Sequence, residues 1–201
     1  MYVDDLLLVS DQGPIRNGLL EAIRTVWTLA KEEIRIVEHP ITFLGIQLQL
    51  RKNVDIFLNQ IEFVESIFSK HGKAGDKGIT AVQIDKFPPD LDVPMPQELK
   101  SLQGSSGESN WFATRTRPDI SYYTSLLASA CSRYCAWILQ LAIKISRFLI
   151  TIIDQGILLT RDGDLIELVA WTDAGFAGSD TKSQNGLVVI WGGSIIVWRS
   201  S

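Results

Sequence analysis

The sequence predicts an α/β (α+β) protein in which helical and antiparallel strand segments are separated along the chain. Three observations carry this. Residues 41–72 read as a hairpin followed by a helix. Residues 97–153 read as helix throughout. From residue 156 onward four short strand-like runs follow one another, broken by glycines. With 201 residues, 46% of them hydrophobic and 21% charged, the chain has the composition of a globular protein large enough for one or two cores.

The chain opens MYVDDLLLVS, read as two short strands about a turn at Asp4–Asp5. Residues 15–30 place Leu19, Leu20, Ile23, Val26 and Trp27 at helical spacing. ITFLGIQLQL (41–50) reads as one hairpin arm, RKN as its turn and VDIFL as the other arm; Asn59 is the expected cap and Gly72 the stop of the next helix. Residues 72–96 change character. KAGDKG is polar, and IDKFPPDLDVPMP holds four of the seven prolines, so a linker or strap lying extended on a surface is expected. Near Pro118, Thr116 or Asp119 is the expected cap of the following helix. After residue 156 come GILLT, LIELVAWTDA, NGLVVIWGG and SIIVWR, with a hairpin turn at Gly192–Gly193. No long-period repeat interrupts this order.

Charge and cysteine content narrow the function classes. The net charge of −4 gives no overall basic footprint. Over residues 97–150, however, Lys and Arg outnumber Asp and Glu six to three, so a basic helical unit able to touch phosphates and an ordinary solvated helix face are both open. Cys131 and Cys135 are the only cysteines. Four apart on a helix they could contribute to a metal site, but no Cys or His lies near in sequence, and two plain thiols are the simpler reading. Residues 134–153 have the length of a membrane span. Gln140, Lys144 and Arg147 recur at helical spacing and favour an amphipathic buried helix, so no membrane association is expected. The absence of a signal peptide and the low cysteine count point to an intracellular, reducing setting.

Two successive carboxylates at the tip of a rigid apolar hairpin suit a divalent cation, because Mg²⁺ takes hard oxygen ligands and shares them with substrate phosphates. Asp-Asp alone is most often a turn. YVDDLLLV is more specific, and it resembles the catalytic hairpin of reverse transcriptases. FLGIQL (43–48), FLNQIEFVESIFSKHG (57–72), WFATRTRPDIS (111–121) and WTDAGFAGSDTKSQNGLVVIWGGSIIVWRSS (171–201) are similar, in the same order, to copia-type retrotransposon Pol polyproteins. The resemblance covers almost the whole chain.

That resemblance implies a division into the end of the reverse-transcriptase palm with a thumb-like hairpin and helix (1–80), a proline-rich linker (81–96), a helical connection (97–153) and a truncated ribonuclease H-like antiparallel sheet (154–201). It also implies roles. Asp4 and Asp5 match the paired metal-binding aspartates of the palm, and Tyr2 and Val3 the positions beside primer end and nucleotide. Asp173 matches the first carboxylate of the ribonuclease H cluster, although by itself it reads as a strand-end turn residue. Arg115, Arg117 and Asp119 match the TRTRPD signature; structural roles lead, with phosphate contact by the arginines as the alternative. Implied partners are Mg²⁺ or Mn²⁺, an RNA template, an RNA–DNA hybrid and a complementary polyprotein chain, in a cytoplasmic particle and the nucleus.

The family's third palm aspartate and its fingers precede the segment matched at Met1, and its remaining ribonuclease H carboxylates follow the segment matched at Ser201. The expectation is therefore a chain inactive by itself, with one face and one edge of its last sheet exposed. A non-catalytic remnant that binds nucleic acid or protein through residues 97–150 is the alternative, and an incomplete gene model a third. Two departures from the family pattern stand out. Ser109–Asn110 replace an apolar pair, and ITII (150–153) replaces a more polar turn, a change expected to lengthen the preceding helix.

Overall fold

The computed structural model describes residues 6–8, 13–29, 39–51, 55–71, 78–84, 86, 88, 91–133, 135–160, 167–176 and 183–201. They form a helical core with one antiparallel sheet built largely from the N-terminal half and a second from the C-terminal segment. Of the opening hairpin expected over residues 1–10, residues 1–5, 9 and 10 lie outside the described residues, and Leu6, Leu7 and Leu8 are in no strand.

Helix α1 (Pro14–Val26) starts at a proline whose fixed φ and missing N–H suit the first helical position. Leu19, Leu20, Ile23 and Val26 fall on the helix as expected, but it stops at Val26 and Trp27 is extended; Leu20 is buried, while Leu19, Val26 and Trp27 are exposed.

The first sheet contains β1 (Ile41–Phe43), β2 (Ile46–Leu50), β3 (Ile56–Asn59) and β4 (Ile157–Leu159), all antiparallel in that order. The arm expected over 41–50 is thus itself a hairpin. Phe43 pairs with Ile46 across Leu44–Gly45, whose φ values of 49° and 74° give the doubly left-handed turn that matches strand twist. Gly45 adopts this conformation freely, whereas Leu44 holds it at a steric cost. GILLT, which reads in sequence with the C-terminal strands, supplies β4 and pairs with β3.

Gly156 lets β4 approach. A methyl group there would collide with the Leu58 carbonyl oxygen and lie 3.0 Å from Cζ of Phe57. A backbone carbonyl held in a ladder cannot step aside, so Gly156→Ala is expected to lower stability by about 1–3 kcal/mol. Gly104→Ala, inside a helix with nothing within 4 Å, should instead raise it by roughly 0.5–1 kcal/mol. Urea denaturation of the two variants checks the opposite signs.

Helix α2 (Ile61–His71) follows β3 directly, and the Asn59 side chain accepts a bond from the Ile61 N–H at 3.2 Å. The expected stop at Gly72 lies outside the described residues. The described parts of the strap are tied to the helical core. Val82 is buried, and Lys144 Nζ donates to the Gln83 carbonyl at 3.1 Å. Asp92 exchanges backbone bonds with Arg133 and Cys135, and its carboxylate accepts the Ala136 N–H at 2.8 Å. The strap thereby caps a helix 44 residues further on.

The helical part holds α3 (Pro96–Arg115), a single 3₁₀ turn (Pro118–Ile120), α4 (Ser121–Ala130) and α5 (Cys135–Thr151). Glu98 reaches back to the Met95 N–H at 2.8 Å, one half of a capping box. The core gathers Phe112, Ile120, Leu127, Ile138 and Ile145 with Val64 of α2 and Val82 of the strap. Helix α5 buries Ile138, Leu141, Ala142, Ile145 and Leu149 on one face and runs into the ITII segment. Among the described residues no helix is long and apolar enough to cross a membrane.

Neither expected cap acts as one. The Thr116 hydroxyl is fully buried and donates to Oε1 of Gln60 at 2.8 Å, while Asp119 pairs with Arg117. Thr116 serves a contact 56 residues away along the chain and Asp119 a local ion pair two residues away.

The second sheet has the order β5 (Leu168–Gly175), β6 (Gln184–Trp191), β7 (Ser194–Ser200), all antiparallel, with Gly192 and Gly193 at φ 53° and 78° in the expected turn. It joins the rest of the molecule along β7. The Trp198 indole N–H donates to the Ala113 carbonyl of α3. Thr160, beyond β4, donates its N–H to Ser194 Oγ at 2.9 Å and its hydroxyl to the Gly192 carbonyl at 3.2 Å.

Candidate functional site

In an antiparallel ladder, paired residues share a face. The register therefore puts Trp171, Val188 and Trp198 in one row and Asp173, Gly186 and Ser200 in the next. Pro118, Ser121 and Tyr122 stand across from this face, and together these groups line an open concavity of about 740 Å³. Asp173 sits on its wall with a solvent-exposed side chain, in a strand exposed along most of its length. The residue opposite it is a glycine, so no neighbouring side chain crowds the carboxylate from that strand.

One carboxylate beside indole rings can accept hydrogen bonds and attract a cation, but it is a single ligand. Among the described residues no group of three or more His, Cys, Asp or Glu side chains could hold a metal ion. Asp4, Asp5, Tyr2 and Val3 lie outside the described residues, so the structure joins none of them to Asp173.

The TRTRPD segment divides sharply. The Arg117 side chain is 3% exposed; its Nε and Nη2 donate to the two Asp119 oxygens at 2.9 and 2.7 Å, a bidentate pair. Nη1 donates to the Ile152 carbonyl at 3.3 Å, and the Phe148 ring lies 5.9 Å from the guanidinium carbon. This arginine ties the α3–α4 connection to the end of α5. Arg115, in the last turn of α3, is exposed, with its guanidinium carbon 4.7 Å from the Trp111 ring. Of the two arginines, Arg115 is the one that solvent or a phosphate can reach.

Cys131 and Cys135 are free thiols, both half-buried beside the core. Burial, with the carboxylates of Glu98 and Asp92 adding to it, holds the Cys135 thiol above its ordinary pKa. A raised pKa leaves less thiolate, which is unhelpful for a nucleophile or a metal ligand.

Several structurally important groups carry no sequence signal: the Gln60–Thr116 bond, the Trp198 anchor and the Asp92 cap all join residues far apart in the chain.

Comparison with known proteins adds what the geometry lacks. Over its whole length the chain is 25% identical to an uncharacterized mitochondrial protein of Arabidopsis thaliana, of which it spans 81%. It is 27% identical to the retrovirus-related Pol polyprotein from transposon RE1 of the same plant, spanning 13% of that protein. It is 24% identical to a putative transposon Ty5-1 protein of Saccharomyces cerevisiae, spanning 64% of it. No family model matches the chain. No solved structure matches it.

Proposed function

We propose that this chain, which is related along its entire length to retrotransposon Pol polyproteins, is a piece of a copia-type reverse transcriptase–ribonuclease H region and is catalytically inactive by itself. The observation that carries the reading is the similarity to transposon sequences over the whole length of the chain. In the parent protein Asp4 and Asp5 would hold Mg²⁺ or Mn²⁺ beside Tyr2 and Val3, on an RNA template. Asp173 would belong to the centre that cleaves RNA in the hybrid. A cytoplasmic particle and the nucleus are the corresponding locations.

The described residues do not by themselves fit a two-ion centre, because Asp173 stands without the further carboxylates such a centre needs. The concavity around it is open and aromatic, which supports contact with a nucleic acid more than enclosure of a small substrate.

Exposed Arg115, held over Trp111, favours a second reading in which the chain binds nucleic acid without acting on it. Primer extension on the purified chain separates activity from binding. With Mg²⁺ or Mn²⁺, an RNA template and a DNA primer, the expected result is no product above an Asp4→Ala/Asp5→Ala control. Extension that disappears in the double variant would overturn the inactive reading.

A further inference from the structure

We infer that Asn17 is a modification site: the Asn17–Gly18 pair near the start of α1 cyclises and deamidates spontaneously in the folded chain, whereas Asn185–Gly186 is held against it. These are the two Asn-Gly pairs of the sequence. Glycine has no side chain to obstruct its own nitrogen and turns freely, so that nitrogen reaches the preceding asparagine side chain with least hindrance. The reaction needs only water. The Gly18 nitrogen bonds to Cγ of Asn17, the Cγ–Nδ2 bond breaks, and ammonia leaves with the proton from the Gly18 nitrogen. Water then opens the succinimide ring. Attack at the side-chain carbonyl gives aspartate. Attack at the main-chain carbonyl gives isoaspartate, in which the chain runs on through the side chain.

The rate depends on how often the glycine nitrogen leaves its backbone hydrogen bond. Helix geometry sends the Gly18 N–H to the carbonyl of Pro14, the first residue of α1. Little holds this first turn. Gly13 supplies no side-chain cap bond, and no acidic residue stands in the turn. Gly18 itself weakens the helix, and Leu20 is the one buried residue of α1. Asn17 and Gly18 are both exposed. Asn17 shares the polar side of the helix with Glu21 and Arg24, away from Ile15, Leu19 and Val26, so an apolar partner on that stripe would leave Asn17 in water.

Asn185 and Gly186 stand instead in β6, the central strand of their sheet. Asn185 donates its N–H to the Ser201 carbonyl at 2.7 Å and accepts the Ser201 N–H at 3.0 Å. Gly186 lies between Asp173 and Ser200 in the ladder, and by alternation its own backbone groups turn toward Asp173. Cyclisation there requires β5 and β6 to part. At α1 the consequence is one-way. Aspartate would merely add a negative charge near a helix start, which the helix dipole favours. Isoaspartate lengthens the main chain and ends the first turn.

Peptide mapping by mass spectrometry tests this on the full chain, incubated at mildly alkaline pH with and without urea. In urea the two sites should convert at similar rates. In the folded chain Asn17 should convert about tenfold faster than Asn185, or more, with isoaspartate among the products. Gly13→Asp keeps the Asn-Gly pair and gives α1 a side-chain cap, and nothing lies within 4 Å of a Cβ at that position. It should slow conversion of Asn17 about twofold in the folded chain and leave the rate in urea unchanged. Circular dichroism confirms that both proteins are folded. An Asn17 that stays intact in the folded chain while converting in urea overturns the inference. So do equal rates at Asn17 and Asn185 without urea, or a folded-chain rate at Asn17 that Gly13→Asp leaves untouched.

Discussion

Phe112→Ala is expected to lower stability by about 3–5 kcal/mol, because it removes the largest fully buried side chain among the described residues. Phe112 is 1% exposed and lies where α3, α4 and α5 converge. Its ring centroid is 4.9 Å from that of Phe63, with the planes tilted by 40°, so the same ring fastens α2 to the helical core. Alanine removes that contact and leaves a cavity bounded by helices that are themselves pinned. The Phe112 carbonyl still accepts the N–H groups of Thr116 and Arg117, which limits collapse into the space. At 2–4 °C per kcal/mol for a chain of this size, the melting temperature should fall by about 6–20 °C. A loss below about 1 kcal/mol would mean that the ring is not a core element.

Asp119→Ala is the second large effect, expected to cost about 3 kcal/mol. The loss comes from the partner left behind: Arg117 is buried, and without Asp119 its guanidinium keeps only the Ile152 carbonyl and the edge of the Phe148 environment. The 39% exposure of the Asp119 side chain lets water reach part of the gap, which places the figure at the lower end of the range for a broken buried pair. Replacing both residues, as Arg117→Met with Asp119→Ala, should recover most of the stability, because no charge remains buried. Chemical denaturation of the two single variants and the pair measures the coupling. Failure of the double variant to recover would show that Arg117 acts through packing rather than through its charge.

The extent to which the sequence foretells this structure follows from distance along the chain. The turn at Gly192–Gly193 is legible because two glycines sit between alternating strands. The turn at Leu44–Gly45 is not, because Leu44 continues an apolar run and only Gly45 breaks it. The helices over 97–153 are legible from local periodicity, and so is the burial of one face of α5. The pairing of β4 with β3 is not, since about a hundred residues separate them. The strap reads as linker from its prolines, yet Val82 and Asp92 fix its described parts to the helices through contacts that periodicity cannot encode.

The candidate site shows the same division. Asp173 stands out only through the family resemblance, because a lone aspartate on a strand carries no chemistry of its own. The fates of Arg115 and Arg117 could not be separated by spacing, and burial separates them: one is sealed against Asp119, the other faces solvent.

The central proposal, that this chain is an inactive piece of a retrotransposon reverse transcriptase–ribonuclease H region, is tested most directly at Asp173. The measurement is cleavage of a labelled RNA–DNA hybrid by the purified chain in Mg²⁺ or Mn²⁺, beside Asp173→Asn. The account expects no cleavage above background in either protein. Cleavage by the unsubstituted chain that is lost in Asp173→Asn would contradict it.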